Sequence, residues 1–239
     1  MNEVPKSRIR LKFARLAPAK DLSHLEQIKV LRARAAACGL RFSQAAGAKP
    51  TPKMAFGPAV SVGHESLCEY ADLYLEEFVK EDAVAEKLKP LDDESFRLVS
   101  AKRVPVFFPS IEAAVNAAEY FMEGEFPAEF SQAAVDAFMA LKSVAYERVK
   151  PSGERKLLDA RTPVLSASFD EAMLVPYKGY AHQTARDGAL LKVTLKLEPG
   201  KSVKPEIVAE LMCGGKPVFR RIVRKELYWF NSGGKLEVF

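Results

Sequence analysis

At 239 residues, 48% apolar and 28% charged, the chain is long enough for two packed units and has the composition of an ordinary globular protein, which excludes a disordered or fibrous polypeptide. No run approaches the roughly 18 apolar residues of a membrane helix, and the opening MNEVPKSRIRLKF lacks the apolar stretch of a secretion signal, so a cytoplasmic protein with no membrane partner is expected. The net charge of +5 is uneven: residues 1–60 hold 12 Lys+Arg against 3 Asp+Glu, residues 61–105 hold 6 against 11, and the remainder is nearly balanced, so a basic N-terminal segment is placed to attract phosphate or another acidic partner.

Residues 8–15, RIRLKFAR, alternate Arg8, Arg10 and Lys12 with Ile9, Leu11 and Phe13, the pattern of a half-buried strand. Ser23 followed by Glu26 is a capping box, opening a helix with Leu25, Ile28, Leu31, Ala35 and Cys38 on its apolar stripe and Gly39 as its stop. Lys29, Arg32 and Arg34 lie off that stripe. A short strand is expected over residues 40–44, then the loop SQAAGAKPTPKMAFGPA, in which Pro50 and Pro52 stiffen an arm presenting Lys49 and Lys53. Extended chain is expected again near residues 54–58, a strand over 68–78, a short helix in KEDAVAEKLKPL, and a strand over 95–106. Strand, helix, strand, strand, helix, strand is the ferredoxin-like pattern, an α+β unit with an antiparallel sheet and both helices on one face.

The second half reads similarly. Residues 111–122 suggest a strand, 127–144 a helix capped by Ser131, and 146–150, 155–159 and 164–169 short strands. LLKVTLKLE is a strand, KPEIVAELM a helix with Pro205 in its first turn and Gly214-Gly215 at its end, and residues 218–230 a closing basic strand. Tandem ferredoxin-like units over residues 1–107 and 108–239 follow, with one larger α+β domain as the alternative.

Among residues that could carry chemistry, His24 stands in the first helical turn, where the helix dipole disfavours its charged form. A neutral imidazole there could serve as a general base, or simply pack against the strand. Glu69 and Asp72, three apart on one strand, should face opposite sides, and Glu65 or Glu69 is expected to pair with Arg32 or Lys53. His64 lies near Glu65 and Glu69, and His182 in a Gly/Tyr-rich loop; the spacing supports no metal site. The cysteines, Cys38, Cys68 and Cys213, fit no metal or cluster motif and read as reduced thiols. No phosphate-binding loop, dinucleotide fingerprint or nucleophile elbow occurs, so no cofactor is expected.

The stretch from LSHLEQIKVLRARAAACGL through SQAAGAKPTPKMAF to VGHESLCEYADLYL resembles the radical-SAM-linked proteins, a bacterial family of unassigned activity found beside or fused to B12-binding-type radical-SAM enzymes. Leu22, Ser23, His24 and Leu25 match its first element. Ser43, Gln44, Gly47, Pro50, Pro52 and Lys53 match the second, and Gly63, Glu65, Ser66, Glu69, Tyr70 and Asp72 the third. Asp159, Arg161, Lys204, Pro205 and Glu206 match more loosely. Ala48, Lys49 and Thr51 replace the family's aromatic, asparagine and histidine, and the three-cysteine cluster motif of radical-SAM enzymes is absent. The resemblance implies an accessory or substrate-binding role beside a radical-SAM enzyme, plausibly on RNA; together with the basic helix side and loop it makes Lys29, Arg32, Arg34, Ser43, Gln44, Lys49 and Lys53 the expected ligand contacts, supported by Ser23, Glu65, Glu69 and Asp72. From the topological expectation that the loop returns toward the start of the first helix, Lys49 and Lys53 should join Lys29, Arg32 and Arg34 in one positive patch. A metal-independent endoribonuclease of the CRISPR repeat-processing type, with His24 catalytic, is the alternative on fold grounds. A subunit docking its basic face on an acidic protein surface is the third reading.

Overall fold

The structure is a computed structural model that describes residues 5–45, 51–89, 92–149, 152–171 and 188–238. Lys49, with Gly47, Ala48 and Pro50, and His182 lie outside the described residues. The chain divides into two compact units, Met1–Val115 and Asn116–Val238.

In the first unit the alternating basic and apolar residues form β1 (Ser7–Arg15), followed by a 3-10 turn, Ala17–Ala19, and α1 (His24–Ala37). Then come β2 (Met54–Phe56), β3 (Glu65–Leu75), α2 (Glu81–Leu88), β4 (Phe96–Val104) and a single helical turn, α3 (Ile111–Ala114). β1 lies between β3 and β4, and β2 pairs with β3, all antiparallel, giving the order β4-β1-β3-β2. That order is the ferredoxin-like one. Leu31 and Ala35 of α1 and Val84 and Leu88 of α2 share one core with Ile9, Leu11, Phe13, Leu73 and Leu75, so both helices cover the same face of the sheet. That burial supplies most of the stabilisation, at about 25 cal/mol per Å² of apolar surface removed from water.

α1 starts as its sequence dictates. The Ser23 Oγ accepts from the Glu26 N–H, and the Glu26 carboxylate accepts from the Ser23 N–H. Hydrogen bonding from the Ser23 hydroxyl, and then from its N–H, holds the Glu26 carboxyl below its usual value. Gly39, at φ 71°, takes the left-handed turn that ends the helix. The buried stripe is different from the one expected. Leu25 is 69% exposed, and Gln27, Leu31 and Ala35 face inward. The shift has a polar cause, since Gln27 is drawn in by a buried arginine, Arg15. Residues 40–44 form isolated bridges, Phe42 with Leu75 and Gln44 with Pro52, rather than a regular strand. The Ala45 N–H donates to the Thr51 carbonyl and the Lys53 N–H to the Ser43 carbonyl, so residues 43–45 and 51–53 pair with each other beside β3.

The second unit holds β5 (Ala117–Glu125), α4 (Gln132–Ala140), β6 (Ala145–Val149), β7 (Arg155–Asp159), β8 (Val164–Asp170), β9 (Ala189–Lys196), α5 (Pro205–Cys213), β10 (Val218–Phe230) and β11 (Leu236–Val238). Its order, β10-β5-β9-β8, repeats the ferredoxin-like arrangement, with β6 and β7 inserted between α4 and β8 as a separate hairpin and β11 added beside β10. The single strand expected over residues 111–122 is instead α3 followed by β5. Ser110 accepts from the Ala113 N–H and starts a helical turn there. Ser131 precedes α4 but makes no capping bond with its side chain. Gly124 is required because a Cβ would stand 2.3 Å from the Val218 carbonyl oxygen.

The motif DART, at residues 159–162, is a structural lock. The Asp159 carboxylate accepts from the N–H groups of Val144 and Arg161 and from the Thr162 hydroxyl, while Arg161 donates to the carbonyls of Met139 and Val164. Partial burial opposes ionisation of Asp159, but these hydrogen bonds outweigh it and hold its pKa at about 2, below the ordinary 3.8. A depressed carboxyl stabilises the fold fully above its unfolded value and loses that contribution as pH falls through about 2. Denaturant midpoints measured from about pH 5 down to about pH 2 should therefore fall less steeply in Asp159→Asn than in the wild type, the variant being less stable at neutral pH.

Candidate binding face

The face of the first sheet turned away from α1 and α2 is built by strand alternation. Ile9, Leu11 and Phe13 point to the helices, so Arg8, Arg10 and Lys12 point the other way. On β3 the residues directly opposite them are Tyr74, Asp72 and Tyr70. Each pair interacts. The Arg8 guanidinium lies 5.5 Å from the centre of the Tyr74 ring, Arg10 Nε is 2.8 Å from Asp72 Oδ1, and Lys12 Nζ is 5.6 Å from the Tyr70 ring. Lys53, next to β2, adds a second cation over Tyr74 at 5.0 Å. Lys102 of β4 is exposed and pairs with Arg10 in register. Five cations, one carboxylate and two tyrosines thus share one side of the sheet.

Asp72 is fully buried and accepts from both Arg8 and Arg10. Arg8, itself 1% exposed, also donates from Nη1 to the Phe108 carbonyl at 2.6 Å and from Nη2 to the Pro109 carbonyl at 2.8 Å. The chain leaving β4 is thereby held against this face. Ser43, whose neighbour Phe42 belongs to the core on the other side, is buried beside Tyr74 with its N–H donated to the Tyr74 carbonyl. Its hydroxyl has no hydrogen-bond partner among the described residues.

A second polar knot lies on the helix side. The fully buried Arg15 donates to the carbonyls of Ala19, Lys20 and Leu22 and to Gln27 Oε1, and Gln27 Nε2 reaches Glu69 Oε2 at 3.5 Å. The Gly63 N–H donates to the Lys20 carbonyl. His64, Glu65 and Ser66 are buried too, Ser66 standing opposite Arg15 in the ladder. Residues distant in sequence, in LSHLEQ and VGHESLCE, therefore converge on the turn that launches α1. Glu69 and Asp72 do face opposite sides.

Among the described residues, Lys53 does not join Lys29, Arg32 and Arg34 in one patch. Arg32 reaches the Met54 carbonyl and lies 5.8 Å from the Phe56 ring, on the helix side at the β2 edge. Arg34 turns toward the β4 edge, where it pairs with Asp93 and lies over Phe96. Lys53 points to the opposite side of the sheet, because Met54 and Phe56 point to the helices. Lys29 is exposed on α1, His24 is half-buried at its start, and Gln44 is exposed with its side-chain amide bonded to the Phe42 carbonyl. The pairing of Glu65 or Glu69 with Arg32 or Lys53 is replaced by Gln27 on Glu69, Met54 on Arg32 and Tyr74 on Lys53. Sequence reasoning missed Tyr70, Tyr74 and Lys102 as members of a face. The signal was present in the spacing: Arg-x-Arg-x-Lys in one strand and Tyr-x-Asp-x-Tyr in another, both with period two.

Elsewhere, a narrow apolar space of about 20 Å³ between α1 and the sheet has room for little more than a water. An open cleft of about 330 Å³ lies beside Tyr146, Ile207, Glu210, Leu211, Gly215 and Lys216. Burial pushes the Cys213 thiol up to about 11 and raises Cys38, which leaves both poor nucleophiles. Among the described residues, no group of three or more His, Cys, Asp or Glu is placed to hold a metal ion, and no helix is long and apolar enough to cross a membrane.

Residues 8–205 match the profile of a family described as an uncharacterised protein conserved in bacteria, DUF2344, and the chain belongs to that family. A comparison with curated proteins finds no match. Among solved structures, a chain in the crystal structure of a Cbf5–Nop10–Gar1 complex is similar over 90% of this chain at 8% identity and a TM-score of 0.43; this chain spans 48% of the solved one.

The Asp72 carboxylate offsets two guanidinium groups, so removing it leaves buried positive charge uncompensated. Asp72→Ala should cost about 3–5 kcal/mol, read as a lowered urea midpoint with an unchanged slope.

Proposed function

We propose that this member of the family is a binding module that holds RNA, through its phosphates, on the side of the first sheet turned away from α1 and α2 and presents it to a partner radical-SAM enzyme. The observation that carries the reading is the row of cross-strand pairs, Arg8–Tyr74, Arg10–Asp72 and Lys12–Tyr70, extended by Lys53 and Lys102. Their cations outnumber the one carboxylate, and although Arg8, Asp72 and Tyr70 are buried and α3 packs over part of this side, Lys53 and Lys102 are exposed and Lys12 partly so. Phosphate groups spaced along a chain are suited to such a surface, since each contact releases condensed counterions. The radical-SAM partner rests on the resemblance of LSHL, SQAAGAKPTPK and VGHES to the radical-SAM-linked proteins.

The chemistry of the face favours binding over cleavage. His24, the candidate base of an endoribonuclease, belongs to the helix layer, whereas the cations stand on the other side of the sheet. The tyrosine rings hold the Lys12 and Lys53 ammonium groups on this side of the sheet.

The double variant Lys12→Glu/Lys53→Glu tests the surface. Its binding to tRNA or rRNA fragments, followed by fluorescence anisotropy, should weaken uniformly across sequences, and the plot of log K against log salt should become shallower by about 1.5 to 2 for the two lost contacts. An unchanged slope with an intact circular dichroism spectrum would place the RNA elsewhere. Capture of the cognate radical-SAM enzyme by the wild-type chain, without loss in the double variant, checks the partner separately.

A further inference from the structure

We infer that the exposed Phe107–Phe108 pair is a base-stacking platform, and that the RNA bound by this protein is therefore single-stranded. Phe107 is 86% exposed and Phe108 50%. Exposed phenylalanines cost solvation without stabilising the fold, and here two are adjacent, their rings edge to face with centres 5.4 Å apart. The turn that carries them is tied down at both ends. β4 ends at Val104, paired with Arg8. The Phe108 N–H donates to the Pro105 carbonyl, and Arg8 holds the carbonyls of Phe108 and Pro109. Beyond the turn, Ile111 is fully buried. A rigid turn presents its rings with little further loss of conformational freedom on binding.

The neighbourhood identifies the occupant. The same arginine that anchors the turn stands on the side of the sheet where Lys12, Lys53 and Lys102 reach the surface. A ligand lying across both needs negative charge along its backbone and flat apolar groups beside it. Unpaired nucleotides carry both, and any base offers a face for stacking. Duplex RNA keeps its bases stacked on each other and offers a side chain only backbone and groove. A protein partner of acidic surface satisfies the cations but not the rings.

The inference rests on the proposed RNA-binding reading, and three probes keep the two separable: a labelled oligouridylate about a dozen nucleotides long, a duplex RNA of the same length, and inorganic polyphosphate. The full chain should prefer the oligouridylate to the duplex. Phe107→Ala should weaken oligouridylate binding roughly five- to hundredfold and leave polyphosphate binding unchanged, while Phe107→Trp should retain the oligouridylate. Since the ring is mostly in solvent, the melting temperature of Phe107→Ala should match the wild type. Equal oligouridylate binding by Phe107→Ala and wild type, with polyphosphate still bound, would overturn the platform and leave the cationic face standing. Preference for the duplex would overturn the single-stranded assignment, and loss of a protein partner in Phe107→Ala with RNA binding intact would overturn the platform. Failure of the wild type to bind either RNA or polyphosphate would remove the RNA-binding reading itself.

Discussion

A single buried carboxylate organises the first unit. Asp72 has no exposed surface, and desolvating its charge is repaid only because Arg8 and Arg10 arrive from the neighbouring strand. The pairing specifies more than it stabilises. A slip of β1 against β3 by one residue would turn Asp72's partners toward the helices and bring Ile9 or Leu11 opposite it on the polar side. The register that satisfies the charge is therefore also the one that puts the apolar row against α1 and α2. Arg8 extends the constraint to the chain after β4 through its two carbonyl bonds.

The two units add different local chemistry to the same strand order. In the first, the side of the sheet away from α1 and α2 carries cations and tyrosines, crossed by the turn that Arg8 anchors and by α3. In the second, the inserted hairpin of β6 and β7 is joined to the following strand by Asp159, Arg161 and Thr162, whose hydrogen bonds are all spent on neighbouring backbone and on each other. The resemblance at Asp159 and Arg161 thus marks a fold element. Arg15 has the same character in the first unit, since its donors are directed to the turn before α1 and to Gln27.

Local signals were legible in the sequence where their physics is local. The capping box at Ser23 and Glu26, the stop at Gly39 and the alternation of RIRLKFAR each depend on a few adjacent residues, and the order of strands and helices followed. Side-chain placement across elements was not legible. Leu25 fits a helical stripe, but the stripe rotated to bury Gln27, because a buried arginine some twelve positions earlier needed an acceptor. The turn of α3 hid in an apolar stretch because four residues of helix carry too little periodicity to register. The positive patch failed for a reason of parity: Lys53 is one residue before Met54, and one residue along a strand is the other side of a sheet.

The excess of basic residues in the first 60 positions separates into two roles once its members are placed. The arginines Arg8, Arg10, Arg15 and Arg34 have their forks directed at carboxylates and carbonyls within the unit. Planar, multi-donor guanidinium groups suit such fixed internal geometry. The lysines Lys12, Lys53 and Lys102 stand on the side away from α1 and α2, Lys53 and Lys102 exposed and Lys12 partly so, with Lys12 and Lys53 over tyrosine rings. A compact ammonium on a flexible stem follows a phosphate without demanding one orientation. Net charge per segment therefore overstates what is available to a partner: the arginines hold the surface in place, and the lysines at its rim are the groups an anionic chain would meet first.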